Sequence, residues 1–309
     1  MRPTTLTPTP TVGTTSDEAR GMLLGLIGVA IFSLTLPFTR LAVRELDPLF
    51  LTLARALGAA VLAAGWLRMR RVAWPGRAAL RPLVIVGLGC VLGFPLLSSI
   101  AMRSVPASHG AVLAGMLPLA TALYAALRGY ERPSNGFWLV ALLGSGLVVA
   151  FALSQGGGAL QAADVLMFGA IVSAAAGYAE GGRLARTLGG QETICWALVL
   201  AAVPAAVLLL ALEGEQIGRL GDVGPASWLA FGYVTVFSMF IGFFFWYRGL
   251  ALGGIARVGQ VQLLQPFMSL LGAAVLLGER LALSNCLFAL AVIGVVCAGR
   301  RLQVRRHAA

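Results

Sequence analysis

The chain has 309 residues, of which 59% are hydrophobic and 11% charged, and it carries a formal net charge of +11. Soluble domains have about a quarter of their residues charged, so this composition excludes an ordinary soluble domain and indicates a polytopic membrane protein. Every basic residue is an arginine, which excludes P-loop ATPases and Schiff-base enzymes because both depend on a lysine amine.

Ten apolar stretches follow one another along the chain, and each is close to the length of about 20 residues that spans a bilayer. They are 21–41, 49–67, 83–102, 106–127, 136–153, 163–182, 193–212, 226–247, 257–277 and 284–302. The preceding segment 1–20 is rich in threonine and proline and predicts a disordered tail, and 303–309 forms a short basic tail. No signal-peptide pattern precedes the first stretch, so we expect no cleaved leader.

The arginines are distributed unevenly between the two sides of these spans. With the N-terminus in the cytoplasm, seventeen arginines lie in cytoplasmic segments, five lie on the opposite side, and Arg55 lies inside the second span. Positive residues concentrate on the cytoplasmic side of membrane proteins, so the sequence predicts a multi-pass bacterial inner-membrane protein with both termini in the cytoplasm. The scatter of the arginines over separate segments does not favour a nucleic-acid partner.

The second half of the chain repeats features of the first. Thirteen residues separate Pro118 from Glu131, and thirteen separate Pro266 from Glu279. Further matches in the same order predict two five-span repeats, over 21–153 and 163–302. Because five is odd, the second repeat is inverted relative to the first, an arrangement typical of secondary transporters.

These features resemble the drug/metabolite transporter superfamily, specifically its EamA-type carriers. The segment from Gln265-Pro266 to Gly278-Glu279-Arg280 is similar to the most recognisable stretch of that family, and within it the chain is most similar to YddG-type exporters of aromatic and other amino acids. The resemblance implies an all-α fold of ten transmembrane helices in two inverted repeats. It also implies that spans one, three, four, six, eight and nine surround a substrate cavity, that no cofactor is needed and that the chain works as a monomer.

Span eight is rich in aromatic residues. Tyr233, Phe237, Phe240 and Tyr247 fall on one face at α-helical spacing. Phe237 and Phe240 are candidates for a cavity wall that binds apolar or aromatic substrates, and helix–helix packing is the alternative. Trp246 and Tyr247 favour an interfacial aromatic belt or a cytoplasmic gate.

Several polar residues within the spans are candidates for substrate contact. Gln262 and Gln265 in span nine avoid lipid and face either protein or water, where they bind substrate or hydrogen-bond another helix. The other candidates for the cavity are Ser99, Tyr178 and His109, although a lone histidine also serves as a structural hydrogen-bonding group.

Four prolines within the spans lead to a further hypothesis. Each of Pro37, Pro95, Pro118 and Pro266 removes a helical hydrogen bond, which predicts either a hinge or a static kink.

Glu180 near the end of span six is a candidate for proton coupling, and the alternative is a surface ion pair with Arg183. Arg55 is a candidate anchor for a carboxylate, and the alternative is an ion pair with Glu45 or Asp47.

The sequence therefore favours a secondary transporter that exports neutral or aromatic amino acids, or related small metabolites, by alternating access. Its expected partners are the small-molecule substrate and the lipid bilayer. A channel for small metabolites is the main alternative. A membrane-embedded enzyme is disfavoured, because neither the HExxH motif nor a set of metal ligands occurs, and no catalytic or metal-binding residues are assigned.

Overall fold

Long helices account for nearly all of the chain that the computed structural model describes, which is residues 15–155, 161–280, 282–299 and 304–306. In chain order these helices are α1 Ser16–Ala42, α2 Pro48–Met69, α3 Arg77–Ala101, α4 Ala107–Leu127, α5 Asn135–Gln155, α6 Ala162–Leu188, α7 Gly190–Leu212, α8 Pro225–Gly253, α9 Ile255–Leu277 and α10 Leu283–Gly299. Two short helices, Gly214–Gly218 and Leu220–Asp222, lie between α7 and α8.

Eight of the described helices, α1 to α4 and α6 to α9, are long and apolar enough to cross a bilayer. Their outer surface is apolar, since Val61, Val172, Leu210 and Val275 are between 66% and 83% exposed. Such a surface suits lipid and is rare on a soluble monomer. Eight predicted spans are thus confirmed as candidate membrane helices. The fifth and tenth fall on α5 and α10, and the count of ten stays a prediction.

The first helix begins earlier than the sequence predicts. Residues 1–14 of the predicted tail lie outside the described residues, but helical structure is already present from Thr15. Asp17 and Glu18 lie in the first turn, where acidic side chains stabilise the positive end of the helix dipole. Glu18 also forms an ion pair with Arg257 at the start of α9. Residues 15–20 therefore extend α1 toward α9.

A small β-sheet joins the end of α4 to the C-terminal segment. Strand β1, Glu131–Pro133, pairs antiparallel with β2, Val304–Arg306. The described part of the predicted basic tail is thus a strand, and residues 307–309 lie outside the described residues. The pairing holds Glu131 in an extended segment directly after α4.

Four helices depart from α geometry, and the departures occur at matching places in the two halves. A π-helical segment occupies Gly87–Gly93 of α3 and another occupies Tyr233–Ile241 of α8. A 3₁₀ segment occupies Ala114–Met116 of α4 and another occupies Gln260–Leu264 of α9. Such segments within transmembrane helices often mark functional hinges.

The four prolines lie where the helical hydrogen-bond pattern changes. Pro95, Pro118 and Pro266 each occupy the first turn of the α segment that follows a π or 3₁₀ stretch. In α1 the helix breaks at Leu34, three residues before Pro37. Because proline has no N–H group, the carbonyl four residues earlier loses its α-helical donor. The carbonyls of Ala114 and Gln262 accept instead from the amides of Leu117 and Gln265.

The carbonyl that loses its helical donor at Pro37 is that of Ser33. The hydroxyl of Ser269 on α9 donates a hydrogen bond to it over 2.5 Å. The break in α1 is therefore stabilised by a side chain from the second half of the chain, as expected for non-helical backbone within a membrane protein.

Glycines bring two helix pairs into backbone contact. A Cβ atom on Gly21 of α1 would lie 2.6 Å from the amide nitrogen of Gly253 in α8. A Cβ atom on Gly89 of α3 would lie 2.3 Å from the carbonyl oxygen of Ser173 in α6. Only glycine permits these approaches, so each crossing joins a helix of the first half to one of the second.

Candidate functional site

A small cavity lies in the centre of the bundle, between the two halves of the chain. Its walls come from α1, α2, α3, α6, α8 and α9, and its volume is about 20 Å³, enough for about one water molecule. The resemblance implied that α4 lines the cavity. Instead α4 packs against α6 and α9, and α2 supplies Arg55 to the lining.

The cavity combines a polar side with an aromatic side. The polar lining residues are Thr35, Arg55, Cys90, Tyr178, Ser238 and Gln265, and the aromatic ones besides Tyr178 are Phe32, Phe94 and Phe243. The hydroxyls of Thr35 and Ser238 lie 2.8 Å apart and form a hydrogen bond between α1 and α8. The lining thus offers hydrogen-bonding groups opposite flat apolar surfaces, a combination typical of small-molecule sites.

Two polar groups at the cavity have no partner among the described residues. Arg55 is 2% exposed, and its Nε and Nη1 atoms make no hydrogen bond. Gln265 is 5% exposed, and its Oε1 atom makes none. Buried polar atoms are nearly always hydrogen-bonded, so each exception requires an explanation.

An aromatic cluster closes one side of the cavity. The ring of Phe32 lies 5.0 Å from that of Phe243, and the ring of Tyr178 lies 5.2 Å from that of Trp246, between centroids. Trp246 and Tyr247 are fully buried, and the Tyr247 hydroxyl donates to the Gly177 carbonyl over 3.1 Å. These two residues therefore belong to the protein interior and not to an interfacial belt.

Among the candidates from the sequence, Tyr178 and Gln265 line the cavity. Gln262 is fully buried beside Tyr178 and its amide has no partner of good geometry. Ser99 is also fully buried, and its hydroxyl oxygen has no partner among the described residues. Neither Gln262 nor Ser99 belongs to the cavity lining.

Phe237 and Phe240 do not line this cavity. Phe237 is 47% exposed on the outer surface, where its ring stacks on Tyr233 with a centroid distance of 5.4 Å. Phe240 is partly buried against Phe244, 4.6 Å between centroids. The reason is the π segment Tyr233–Ile241, in which each residue turns through a smaller angle than in an α-helix. An α-helical wheel therefore assigns these side chains to the wrong face.

His109 lies away from the cavity in a buried ion-pairing contact. Its Nε2 atom lies 2.6 Å from Oδ1 of Asp164, and Asp164 is fully buried. Asp164 also accepts a hydrogen bond from the Gln161 amide at the start of α6, where it forms a capping box. His109 thus joins the start of α4 to the start of α6.

Glu180 itself is fully buried, but it forms the ion pair with Arg183, whose side chain is 39% exposed. Its Oε1 atom accepts hydrogen bonds from the Tyr130 hydroxyl over 2.8 Å and from Arg128 Nε over 3.1 Å. The Tyr124 hydroxyl donates over 3.2 Å, and Arg183 lies 3.6 Å from Oε2. Burial and the adjacent Glu180 carboxylate raise the pKa of Tyr130 above its ordinary value. These contacts hold the end of α4 against α6.

Two glutamates connect α4 and α9 in a reciprocal way. The carboxylate of Glu131, after α4, accepts hydrogen bonds from the amides of Ile255 and Ala256 over 2.9 and 2.8 Å. These amides begin α9, where unpaired N–H groups and the helix dipole favour a carboxylate. Arg186 lies 3.7 Å from the same carboxylate.

Glu279, after α9, does the same for α4. Its carboxylate accepts from the amides of Ala107 and Ser108 over 2.9 and 3.1 Å. The two glutamates lie at opposite ends of the bundle, which we call the Glu131 end and the Glu279 end. Neither was a site candidate in the sequence, although the equal proline-to-glutamate spacing singled out both.

The sequence was also compared with known proteins and protein families. The sequence matches the EamA-like transporter family twice, over residues 19–152 and 161–299. It is 48% identical over 286 residues to "Uncharacterized transporter YdeK" of Bacillus subtilis (strain 168), covering 93% of this chain and 99% of that protein.

A solved crystal structure superposes with a TM-score of 0.68 at 20% identity, over 92% of this chain and 97% of that one. At this identity the likeness concerns the fold alone.

Proposed function

Since the chain belongs to the EamA-like transporter family, we propose that it is a secondary transporter that exports neutral or aromatic amino acids, or related small metabolites, by alternating access. The observation that carries the proposal is the pair of reciprocal caps. Each half of the chain supplies a glutamate that holds the start of a helix in the other half, on either side of a small polar cavity.

The caps support an inverted relationship between the halves. α4 and α9 occupy equivalent places in the sequence repeat, and each ends in a glutamate that binds the first amides of the other. A twofold axis in the membrane plane relates two such contacts at opposite ends. The matching π and 3₁₀ segments of the two halves agree with the same symmetry.

Alternating access then follows from breaking one cap at a time. Release of Ile255 and Ala256 from Glu131 separates α4 from α9 at one end while the Glu279 cap keeps the other end closed. The opposite step opens the Glu279 end. The cavity in this structure is too small for a metabolite, so substrate enters only after one end opens.

The chemistry of the lining supports the substrate class. Aromatic rings from Phe32, Phe94 and Phe243 suit an apolar or aromatic side chain. The unpartnered groups of Arg55 and Gln265 are a hydrogen-bond donor and an acceptor, which match the carboxylate and ammonium of an amino acid.

We also propose that the Glu131 end faces the cytoplasm. Arg128, Arg183, Arg186 and Arg257 lie at this end, and positive residues concentrate on the cytoplasmic side. Single cysteines introduced at Arg257 and Arg103 test this: an impermeant maleimide added to intact cells labels only the second.

The test of transport is counterflow in proteoliposomes. Vesicles containing purified protein are preloaded with an unlabelled amino acid, and uptake of the labelled amino acid is followed for a panel of neutral and aromatic substrates. Transient accumulation above the equilibrium level is expected for a carrier. Uptake that only equilibrates, without saturation, indicates a channel, and no uptake of any substrate refutes the proposal.

Coupling to protons is a further part of the proposal. Collapse of the pH gradient with a protonophore is then expected to lower the rate of concentrative transport without changing counterflow. Concentrative transport that persists without the pH gradient contradicts proton coupling, and transport that never exceeds equilibrium with the gradient present indicates facilitated diffusion.

A further inference from the structure

Arg55 is a buried cation without a counter-charge. It lies within α2, is 2% exposed, and its Nε and Nη1 atoms make no hydrogen bond to any described residue. Burying a guanidinium in this way is costly, because the charge loses its hydration without gaining a partner. Ionisable residues inside membrane spans commonly mark a substrate pathway.

The carboxylates nearest in sequence are engaged elsewhere. Glu45 accepts a hydrogen bond from the Gly224 amide over 2.8 Å. Asp47 caps α2 by accepting from the Leu49 amide over 2.7 Å and forms an ion pair with Arg103 over 3.1 Å. Arg55 is therefore not neutralised by either residue, and the choice that the sequence left open favours the anchor.

The surroundings of Arg55 favour an anion. Arg55 supplies the one formal charge among the described residues that line the cavity, and no aspartate or glutamate belongs to that lining. In a cavity with low-dielectric walls, a single positive charge attracts an anion more strongly than it would in water.

We infer that Arg55 binds the carboxylate group of the transported substrate. The planar guanidinium presents N–H donors in a fork that matches a carboxylate in bidentate geometry. The rest of the substrate lies against the rings of Phe32, Phe94 and Phe243, and a substrate donor group reaches the free Oε1 of Gln265. The inference rests on the proposed function, because only that function identifies the bound carboxylate as part of a transported substrate.

The experiment uses two sets of matched probes on the purified full-length protein. One set is L-leucine, 4-methylpentanoate and 3-methylbutylamine, and the other is L-phenylalanine, 3-phenylpropanoate and 2-phenylethylamine. Within each set the second compound lacks the ammonium group and the third lacks the carboxylate. Binding is measured in detergent from the ligand-induced rise in Tm, and counterflow is measured in proteoliposomes.

The expected result is that carboxylate-bearing probes bind and the amines do not. Arg55→Met weakens carboxylate binding by about 100-fold or more, as expected for loss of a buried charge partner. Arg55→Lys keeps the charge but loses the fork, so it retains part of the binding. Arg40→Met is the control, because Arg40 already donates to the Met102 carbonyl, and it leaves the preference for carboxylates unchanged.

Stability without ligand gives an independent readout. If Arg55 serves the ligand, Arg55→Met and Arg55→Gln have a Tm equal to or above that of the wild type, since an uncompensated buried charge is removed. A lower Tm in both variants overturns the inference and assigns Arg55 a structural role. Amines that bind as tightly as the acids, no binding by any probe, or carboxylate affinity unchanged in Arg55→Met also overturn it.

The two proposals fail separately. Counterflow of amines that is insensitive to Arg55 overturns the carboxylate anchor and leaves the carrier standing. Carboxylate binding that is lost in Arg55→Met, without counterflow of any probe, supports the anchor and overturns the carrier.

Discussion

Two fully buried charges, Glu180 and Arg55, have opposite surroundings. The Glu180 carboxylate is surrounded by Arg128, Arg183 and two tyrosine hydroxyls. The guanidinium of Arg55 lies beside the central cavity with two of its nitrogens unpartnered. Glu180 has three hydrogen-bond donors on Oε1 and an ion pair with Arg183 at Oε2, although Oε2 accepts no hydrogen bond. Its opposite charges hold helices together, whereas Arg55 has no opposite charge among the described residues and calls for one from outside them.

The contrast distinguishes a buried charge with a structural role from one with a role in ligand binding. Proton coupling by Glu180 stays a prediction, but its contacts already account for its burial. The described residues give no such account for Arg55, and its position at the junction of the halves is where secondary transporters bind their substrates.

The largest effect is expected from breaking the paired site. Glu180→Ala leaves Arg128 and Arg183 without their carboxylate at the end of α4. Because these arginines are 42% and 39% exposed and regain water, the expected cost is about 3 kcal/mol, the upper end for a hydrogen bond to a charged group. Thermal unfolding of the purified protein in detergent measures the loss. Equal stability of Glu180→Ala and wild type would show that the contacts of Glu180 do not stabilise the fold, which contradicts the contrast with Arg55.

The two caps are expected to differ in strength. Glu131 is 1% exposed and has Arg186 nearby, whereas Glu279 is partly exposed. Loss of the charge in Glu131→Gln is expected to cost about 2 kcal/mol, within the range for charged hydrogen bonds, and in Glu279→Gln about 1 kcal/mol, as for an ordinary hydrogen bond. Denaturation in detergent measures both, and equal losses would show that burial does not set the difference.

The same pair of variants tests the mechanism. Weakening one cap favours the state open at that end, so the variants are expected to shift cysteine accessibility at opposite ends of the bundle. A shift at the same end in both variants contradicts alternating access through the caps.

A smaller effect on transport is expected at the aromatic wall. Phe243→Leu reduces the ring surface at the cavity and lowers counterflow of L-phenylalanine by about two- to tenfold, given about 0.5–1.5 kcal/mol for an aromatic contact beyond its buried area. Phe237→Leu on the same helix is the matched control and leaves counterflow unchanged, because Phe237 lies on the outer surface. Equal losses of counterflow in both variants would indicate that Phe237 also contacts the substrate.

The smallest effect is expected from the exposed carboxylate of Glu45. Hydrogen bonds from Ser227 and the Gly224 amide hold its pKa below the ordinary value of 4.5. A group whose pKa is lowered on folding stabilises the protein above its unfolded pKa, and that contribution is lost as the pH falls from about 4.5 through the folded pKa. Glu45→Gln is therefore expected to flatten the acid side of the stability profile measured by thermal unfolding. An unchanged profile would show that the contact is absent in solution.

Much of the fold was predictable because it depends on local sequence. Apolar stretches of bilayer length predicted eight helices that the structure contains, and the proline–glutamate repeat predicted the family. The prolines predicted breaks in the helices, and each of Pro37, Pro95, Pro118 and Pro266 lies at such a break.

The candidate site was predicted less well because it depends on helix phase and on long-range contacts. All three of Tyr178, Gln265 and Phe237 were cavity candidates in the sequence. Tyr178 and Gln265 line the cavity, but Phe237 lies on the outer surface, because the π segment of α8 changes the direction of the side chains along it. The sequence left the surroundings of Glu180 open, since its partners Arg128 and Tyr130 are 50 or more positions away in the chain.

The sequence by itself determined the membrane class, the helices, the duplication and the family, because hydropathy and spacing are properties of short segments. Only the tertiary structure decided which charges are paired. Arg55 is eight positions from Asp47 and ten from Glu45, yet both acids bind backbone amides elsewhere. Pairing depends on where helices meet in space, and that meeting leaves Arg55 as a cation facing the cavity between the two halves.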